Sequence, residues 1–240
     1  MRAMILAAGL GTRLRPLTDK MPKALVPFKG TPMVERIIRN LGDAGVRQVM
    51  VNVHHLAGQV VEFLDHLTVE GMTIHVSDET GELMDTGGAI LQAREFLKEE
   101  EDFIVHNVDV YTDLDIRDLI SYHRDGDALA TIAVKKRPTS RSLLFDEAGL
   151  LCGWIHNETG ENRMIRSPSG RLDDFGNSCV QVISAGFLDL FPVTEPRSLT
   201  EMYLELAGHH KIGAFIHNQD YWYDLGRYDN FIKADKEVFY

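Results

Sequence analysis

The feature that most constrains this chain is the junction between a short apolar run and a glycine-containing loop near its start. Residues 4–8 are all apolar, a length that suits a fully buried strand and is too short for a stable helix. The run ends at Gly9, and Gly11 follows two residues later. Glycines at the end of a strand allow backbone N–H groups to approach a ligand with no Cβ in the way, and a row of such amides suits phosphate. We therefore predict a phosphate-binding loop directly after the first strand.

Basic charge is concentrated around the same loop. Residues 1–29 carry six basic residues against one acidic residue, which leaves a local net charge of +5 in a chain whose net charge is −11. An acidic chain is a poor general binder of nucleic acid, so the anion that it binds should be small and bound locally. The basic residues of this segment are Arg2, Arg13, Arg15, Lys20, Lys23 and Lys29.

Two common phosphate-binding patterns do not fit this loop. A Walker A loop requires a Gly-Lys pair followed by Ser or Thr, and the sequence contains no Gly-Lys pair. The dinucleotide-binding pattern requires a third glycine, where this chain has Leu14. The missing glycine argues against an NAD-linked oxidoreductase.

Composition excludes further classes of protein. The 240 residues are 44% apolar and 25% charged, which suits one α/β domain with a large core. No apolar run approaches the roughly 18 residues of a membrane span, and the start of the chain lacks the apolar segment of a secretion signal. We therefore expect a cytoplasmic protein that does not bind membranes. Cys152 and Cys179 are expected to be unpaired, and no His or Cys spacing indicates a zinc site.

Strand and helix patterns alternate along the chain. Strands that alternate with helices pair in parallel and are covered by helices, and their ligands lie at the carboxyl ends of the strands. Short apolar runs predict strands at residues 4–8, 49–53, 72–76, 103–109, 128–134, 178–184 and 212–216, with a hairpin at 143–151. Helical spacing predicts helices at residues 32–45, 57–67, 86–97, 116–123 and 199–207, with a last one through 228–232. Residues 161–174 are polar and are predicted to form a mobile loop.

Two positions carry residues that a buried core does not explain. The predicted strand at 103–109 ends in Asp109, whose carboxylate at the edge of a sheet would suit Mg²⁺. Thr86, Gly87 and Gly88 open a predicted helix, although paired glycines weaken a helix start by about 1 kcal/mol each. No core packing calls for these glycines, whereas close approach of a planar ring would. The alternative is that Thr86 caps the helix and the glycines are loop residues.

A longer pattern resembles a known family. LAAGLGTRLRPLT at residues 6–18, followed by PKALVP at 22–27, closely resembles the opening of the sugar-1-phosphate nucleotidyltransferases, which join an NTP to a sugar 1-phosphate and release pyrophosphate. Later segments are similar as well: ELMDTGG at 82–88, NVD at 107–109 and YWYDLG at 221–226. The resemblance implies an α/β fold, a three-layer α/β/α Rossmann-like arrangement with a mixed, mostly parallel sheet. We expect one domain over residues 1–240, with a nucleotide-binding half to about 110 and a sugar-binding half with the C-terminal helix beyond it.

The resemblance also implies roles for individual residues. Arg13 would contact the leaving pyrophosphate, and Lys23 would contact the α-phosphate and the sugar phosphate, so both are candidate catalytic residues. Asp109 and Asp224 would hold Mg²⁺ together, although about 115 residues separate them, so the fold must bring them together. The implied nucleotide-binding residues are Ala7, Ala8, Gly9, Gly11, Thr12, Thr86, Gly87 and Gly88. The implied sugar-binding residues are Asn107, Glu158 and Cys179.

Two positions depart from the family pattern on the sugar side. Val108 and Cys179 stand where the family usually has glycine. A glycine at 108 would allow close approach of the sugar, so the departures bear on the acceptor rather than on the chemistry.

A second basic cluster consists of Lys135, Lys136, Arg137 and Arg141. We expect it to form a solvated rim, with contact to phosphate as the alternative.

The implied reaction is Mg²⁺-dependent transfer from UTP or GTP by in-line attack of a sugar phosphate on the α-phosphorus. The short core, with TGG at residues 86–88 and VHHL at 53–56, most resembles the N-acetylmuramate 1-phosphate uridylyltransferases and the mannose 1-phosphate guanylyltransferases. Three other acceptors stay open: glucose 1-phosphate, heptose 1-phosphate and phosphocholine. A different function also stays open, that of a catalytically silent nucleotide-binding module. We expect Lys23 to be an exposed loop cation, so that its replacement lowers the rate far more than the stability. The sequence does not indicate an oligomeric state.

Overall fold

The computed structural model describes residues 1–238 of the chain. The described residues form fourteen strands: β1 (Arg2–Leu6), β2 (Pro27–Phe28), β3 (Thr31–Pro32), β4 (Gln48–Val53), β5 (Thr73–Asp78), β6 (Asp102–Asn107), β7 (Val110–Thr112), β8 (Ala130–Lys135), β9 (Arg141–Asp146), β10 (Leu151–His156), β11 (Asn162–Met164), β12 (Leu172–Ser184), β13 (Ile212–Ile216) and β14 (Trp222–Asp224). They also form seven α-helices: α1 (Met33–Asp43), α2 (Ala57–His66), α3 (Asp85–Gln92), α4 (Arg94–Leu97), α5 (Ile116–Asp125), α6 (Leu199–Leu206) and α7 (Tyr228–Glu237). Short 3₁₀ helices lie at Thr12–Leu14, Lys23–Leu25 and Ala185–Leu190. Within residues 1–238, no helix has the length and apolar character needed to cross a membrane.

Ten of the described strands form one continuous sheet. β5, β4, β1 and β6 are neighbours that pair in parallel, with Met4 of β1 opposite Met50 on one side and Val105 on the other. β12 then pairs antiparallel with β6, and its further partners β8 and β9 are antiparallel to it. β13 adds to β8 in parallel, and β10 and β11 extend the sheet from β9. The sheet is therefore mixed, with the parallel part that alternating strands and helices require.

Helices cover both faces of this sheet. Successive side chains of a strand point to opposite faces, so Ala3 and Ile5 of β1 enter one core while Met4 and Leu6 enter the other. The first core lies under α1, α2, α5 and α7, and the second lies under α3, α4 and α6. This is a three-layer α/β/α arrangement, and the predicted fold class is confirmed.

Most of the predicted elements are confirmed, with two corrections. The predicted strand at 212–216 is β13, and β9 and β10 form the predicted hairpin, where the Gly149 N–H donates to the Asp146 carbonyl at 2.8 Å. The prediction that residues 161–174 form only a loop is wrong, because β11 pairs with β10 and β12 begins at Leu172. The helix predicted at 86–97 is divided into α3 and α4. The single domain and its division near residue 110 stay predictions, and residues 239–240 of that domain lie outside the described residues.

The glycines at the start of α3 are required by packing against the segment before α6. The N–H groups of Gly87 and Gly88 both donate to the Arg197 carbonyl, at 2.8 and 3.1 Å. A Cβ at Gly88 would overlap the carbonyl oxygen of Glu195, and a Cβ at Gly87 would overlap the sulfur of Met202. The interpretation that no core packing calls for these glycines is therefore wrong.

Thr86 takes part in the same contact. Its hydroxyl accepts a hydrogen bond from the N–H of Leu199 at 2.9 Å. Leu199 is the first residue of α6, so Thr86 satisfies an N–H at the start of α6 rather than of α3.

We expect Gly88→Ala to lower the free energy of unfolding by about 1–3 kcal/mol, because the added Cβ forces a backbone shift in a closely packed contact. Urea unfolding followed by circular dichroism measures this change. Gly58→Ala is the matched control, since Gly58 lies in α2 with open space at its Cβ position, and alanine there should be neutral or stabilising by up to about 1 kcal/mol. Unchanged stability of Gly88→Ala would contradict the packing explanation.

Candidate active site

The carboxyl ends of β1, β6 and β8 meet at one edge of the sheet. β1 and β6 are parallel, and β8 runs in the same direction as β6 because both are antiparallel to β12. Ligands of open α/β sheets lie at this edge. A cavity of about 760 Å³ lies at this edge, beside the end of β6. Six of the predicted site residues line it: Arg13, Asn107, Asp109, Glu158, Cys179 and Asp224.

A buried ion pair joins Lys23 to Asp109 beside this cavity. Lys23 Nζ is 2.8 Å from Asp109 Oδ2, and the two side chains are only 12% and 10% exposed. Burial works to raise the pKa of Asp109, but the Lys23 ammonium, with the charge of Arg13 adding to it, holds the pKa below its usual 3.8. The carboxylate is therefore charged at neutral pH.

The expectation that Lys23 is an exposed loop cation is wrong. Lys23 begins the 3₁₀ helix Lys23–Leu25, whose next residue, Ala24, is fully buried. The turn therefore packs against the fold and directs the ammonium to the end of β6. Replacement of Lys23 must affect stability as well as any reaction, because it leaves a buried carboxylate without its cation.

Asp224 lies close to Asp109 despite their separation in the sequence. β14 pairs antiparallel with β7, which places Asp224 opposite Val110, and the Leu225 N–H donates to the Asp109 carbonyl at 2.8 Å. A Cβ at Gly226 would overlap Asp109 Oδ2 and lie 3.0 Å from Asp224 Oδ1, so both carboxylates border the same glycine. The predicted proximity of the two aspartates is confirmed.

The metal role of these aspartates stays a prediction. Among residues 1–238, no group of three or more His, Cys, Asp or Glu side chains is arranged to hold a metal ion. A cation at this place would therefore depend on two carboxylates, from Asp109 and Asp224, together with oxygens from water or substrate.

Asn52 fixes the start of the glycine loop. It lies in β4, and its Oδ1 accepts hydrogen bonds from the N–H groups of Ala7 and Ala8 at 2.6 and 3.3 Å. Its Nδ2 donates to Glu79 Oε1 at 2.7 Å, and Glu79 Oε2 accepts from the Met84 N–H at 3.1 Å. The amides of Ala7 and Ala8 are thus used inside the fold and are not available to phosphate. Any other contact of these two residues with a nucleotide stays a prediction.

Glu79 is a buried carboxylate, only 2% exposed. Burial raises its pKa above the usual 4.5, and the hydrogen bonds from the Asn52 side chain and the Met84 N–H act in the opposite direction. A raised carboxyl pKa means that the folded protein holds a proton that the unfolded chain releases. The contribution of Glu79 to stability therefore falls as the pH rises from about 4.5 through the folded-state pKa.

The next three residues of the loop are open to a ligand. The N–H groups of Gly9, Leu10 and Gly11 donate no hydrogen bond to any acceptor within residues 1–238. Gly11 has a φ of 68°, in the left-handed region that favours glycine, and its carbonyl accepts from the Thr18 hydroxyl at 2.7 Å. Thr12 and Arg13, which follow, are exposed. The predicted contact of this loop with phosphate therefore depends on the amides of residues 9–11. That contact stays a prediction.

Among residues 1–238, the lining of the cavity does not include Thr86, Gly87 or Gly88. Their contact with a nucleotide base stays a prediction that rests on the resemblance, since packing explains the glycines.

The three residues predicted to contact the sugar all line the cavity. Asn107 ends β6, and Glu158 is exposed in the turn after β10. Cys179 has a φ of 58°, and its N–H donates to Asn177 Oδ1 at 2.7 Å. Burial, with the negative charge of Asp109, raises the pKa of the Cys179 thiol to about 12, so the thiol is neutral at neutral pH. Sugar contact by these residues stays a prediction.

Val108 does not narrow the cavity. Its side chain is 1% exposed and belongs to the first core, which lies under α1, α2, α5 and α7. The expectation that Val108 limits close approach of a sugar is therefore wrong, because its side chain points into the core. Of the two departures from the family pattern, Cys179 is the one that lines the cavity.

Sequence reasoning missed two residues of this region, Asn52 and Glu79, which support the loop. Arg137, for which a solvated rim was expected and phosphate contact was the alternative, lines the cavity. Asn52 did carry a signal, since an amide in the apolar run at 49–53 needs buried hydrogen-bond partners. Glu79 carried none, because it follows β5 in a polar segment that resembles an ordinary loop.

We expect Asn52→Ala to lower the free energy of unfolding by at least about 2 kcal/mol. The variant leaves the N–H groups of Ala7 and Ala8 without an acceptor and Glu79 Oε1 without its donor, at about 1–3 kcal/mol for each unsatisfied group. Because Asn52 lowers the pKa of Glu79, the loss should be larger at about pH 8 than at about pH 5 in urea unfolding. Asn40→Ala, at an exposed position of α1, is the control and should change stability by less than about 0.5 kcal/mol. An equal loss at both pH values would contradict the role of Glu79.

The chain is similar to proteins of known activity. It is 28% identical to the mannose-1-phosphate guanyltransferase of Yarrowia lipolytica over 98% of this chain and 63% of that protein. It is 35% identical to the UTP–glucose-1-phosphate uridylyltransferase of Synechocystis over 58% of this chain and 38% of that protein. The chain thus spans less than two thirds of the length of the curated relatives that it matches.

Solved structures share the fold. HddC from Yersinia pseudotuberculosis superposes with a TM-score of 0.77 at 24% identity, over 98% of each chain. A second structure of that protein is complexed with GMP-PN. A family model described as nucleotidyl transferase matches residues 2–143, more than half of this chain. The chain therefore belongs to the nucleotidyl transferase family, which confirms the resemblance to the sugar-1-phosphate nucleotidyltransferases.

Proposed function

We propose that this protein transfers a nucleotidyl group from an NTP to a sugar 1-phosphate, which gives an NDP-sugar and pyrophosphate. The observation that carries the proposal is the buried Lys23–Asp109 pair, which lies between the open amides of residues 9–11 and the carboxylate of Asp224. Membership of the nucleotidyl transferase family supports it.

The reaction requires the negatively charged phosphates of the two substrates to be brought together, and it requires no proton transfer. An oxygen of the sugar phosphate attacks the α-phosphorus of the NTP, a P–O bond forms, and the bond to pyrophosphate breaks. The attacking oxygen is already negatively charged, so no general base is needed. Catalysis then depends on positioning the phosphates and on stabilising the charge that develops on the leaving group.

The residues at the sheet edge suit these two tasks. The amides of residues 9–11 and the guanidinium of Arg13 would bind the leaving pyrophosphate. A Cβ at Gly9 would lie 3.3 Å from Lys23 Nζ, so the ammonium adjoins the loop as well as Asp109. Lys23 would move its hydrogen bonds from Asp109 to the phosphates of both substrates, which it holds together.

Mg²⁺ fits the donors at Asp109 and Asp224. It prefers oxygen ligands and is usually held by one or two carboxylates together with waters and substrate phosphates. Two carboxylates border Gly226, where a side chain would fill the space between them. When bound, Mg²⁺ would offset the negative charge of the phosphates.

The relatives support particular substrates. The Yarrowia lipolytica relative is named for mannose 1-phosphate and guanylyl transfer, and the Synechocystis relative is named for glucose 1-phosphate and UTP. We infer GTP or UTP as donor, and mannose 1-phosphate or N-acetylmuramate 1-phosphate as the first acceptors to test. Pyrophosphate release from a panel of NTPs and sugar 1-phosphates tests the proposal, and tight nucleotide binding without release from any pair would contradict it.

We expect Lys23→Met to lower kcat by about 100- to 1,000-fold with the active substrate pair, because the ammonium stabilises charge at the reacting phosphates. Thermal unfolding of the variant should also shift downward, since Asp109 loses its cation. The rate is therefore measured below the unfolding transition and normalised to folded protein. Lys20→Met, an exposed position in the same segment, is the control and should keep wild-type kcat. Wild-type turnover by Lys23→Met would remove Lys23 from the reaction.

We expect Asp224→Asn to raise the Mg²⁺ concentration needed for half-maximal activity by about tenfold or more, because one of two carboxylate ligands becomes neutral. EDTA should abolish activity in the wild type, and added Mg²⁺ should restore it. Asp229→Asn, at an exposed position in the first turn of α7, is the control with a wild-type Mg²⁺ requirement. The same Mg²⁺ requirement in Asp224→Asn and wild type would contradict the ligand role.

A further inference from the structure

Arg137 lies at the same sheet edge as the candidate catalytic groups, on the other side of Asp109 from the glycine loop. It follows the carboxyl end of β8, and β12 separates β8 from β6. Neighbouring strands are about 4.8 Å apart, so β8 lies about 10 Å from β6 in the sheet. Arg137 and Asp109 line the same cavity. The glycine loop, in contrast, follows β1, the neighbour of β6 on its other side.

The guanidinium of Arg137 is held in place by packing. Its Cζ lies 3.8 Å from the centroid of the Trp222 ring, and the indole N–H of Trp222 donates to the Ser178 carbonyl at 3.0 Å. A Cβ at Gly176 would lie 2.8 Å from the same Cζ, so the side chain rests directly on glycine backbone. An aromatic ring and a glycine thus fix the plane of the guanidinium, which reduces the entropy lost when it binds a ligand.

Most of the hydrogen-bonding capacity of this guanidinium is unused. Nη2 donates to the Asn177 carbonyl at 2.8 Å, and Nη1 makes a long contact of 3.5 Å with the Pro138 carbonyl. Three of its five N–H groups, including a buried Nε, have no acceptor among residues 1–238. Burial also lowers the pKa of Arg137 from its usual value, although the guanidinium stays charged at neutral pH.

The neighbouring cations are already satisfied within the fold. Lys135 Nζ donates to the carbonyls of Asn218 and Asp220, each at 2.6 Å. Lys136 pairs with the Asp174 carboxylate. Arg137, in contrast, makes no ion pair with any carboxylate in residues 1–238. The basic cluster predicted from the sequence is therefore divided. Arg141, its fourth member, also has no carboxylate partner in residues 1–238 but lies outside the cavity lining, so Arg137 is the member that offers an unpaired charge to the cavity.

We propose that Arg137 binds the phosphate of the sugar 1-phosphate, an inference that rests on the proposed nucleotidyl transfer. In-line displacement requires the attacking and leaving oxygens to lie on opposite sides of the α-phosphorus. With the leaving pyrophosphate on the loop after β1 and the α-phosphate near Lys23 and Asp109, the attacking phosphate lies on the side of β8. Arg137 is a cation that packing holds on that side, and its planar N–H groups match two phosphate oxygens.

A guanidinium also suits the carboxylate of an acidic sugar. Comparing an acceptor that has a carboxylate with one that has none separates phosphate binding from carboxylate binding. Arg137→Met removes the charge and keeps an apolar chain against Trp222, and Arg137→Lys keeps the charge without the planar fork. KM for each substrate and kcat are measured by pyrophosphate release with mannose 1-phosphate and with N-acetylmuramate 1-phosphate. Thermal unfolding of both variants shows whether they fold.

We expect Arg137→Met to raise KM for the sugar 1-phosphate by about 10- to 100-fold, the effect of losing a charge-assisted hydrogen bond, with KM for the NTP within about twofold of wild type. Arg137→Lys should recover part of this loss. Arg141→Met is the matched control, because Arg141 belongs to the same basic cluster but not to the cavity lining, and it should keep wild-type kinetics.

Three results would overturn the assignment. An unchanged acceptor KM in Arg137→Met would show that the charge binds no acceptor. A raised KM for the NTP alone would place Arg137 on the leaving group, and a defect confined to N-acetylmuramate 1-phosphate would place it on the sugar carboxylate. Each result leaves nucleotidyl transfer intact, whereas a wild-type protein that releases no pyrophosphate from any substrate pair would end both proposals.

Discussion

The arrangement of this site depends on one ion pair, between Lys23 after the glycine loop and Asp109 after β6. Two charges that are each about a tenth exposed lose most of their hydration, and attraction at 2.8 Å offsets that loss only while both partners are present. The pair therefore ties the segment that carries the glycine loop to the end of a core strand. It also lowers the pKa of Asp109, so that its carboxylate stays charged, as a divalent cation requires.

A second set of contacts holds the glycine loop from the opposite side. Asn52 accepts the first two amides of the loop and is itself held by Glu79, a carboxylate that the fold buries at a free-energy cost. A main chain fixed at both Asn52 and Lys23 leaves the amides of residues 9–11 in place before a ligand arrives. Such preorganisation reduces the entropy lost on binding and the reorganisation needed during a reaction.

The sequence predicted the fold class because apolar runs of strand length alternate with helical patterns, and each run carries its own local signal. It also indicated Asp109, Asp224 and the glycine loop, since short motifs mark all three. What it could not predict are properties that contacts distant in the sequence decide. From the sequence, Gly87 and Gly88 suggest a ligand contact. In the structure, the backbone before α6, about 110 residues away, occupies the space next to them. The burial of Lys23 depends in the same way on a strand that ends at residue 107.

The two sides of the site present different groups. On the side of β1, the loop after the strand offers the free backbone amides of residues 9–11, and backbone amides suit phosphate whatever the side chains around them. On the side of β8 and β12, side chains face the site, among them Arg137, Cys179 and Trp222. Val108, although it departs from the family pattern, is buried in the core and does not line the cavity. Differences in acceptor between this chain and its relatives should therefore arise from the β8 and β12 side, where one substitution changes both the shape and the charge of the surface that we propose for the sugar phosphate.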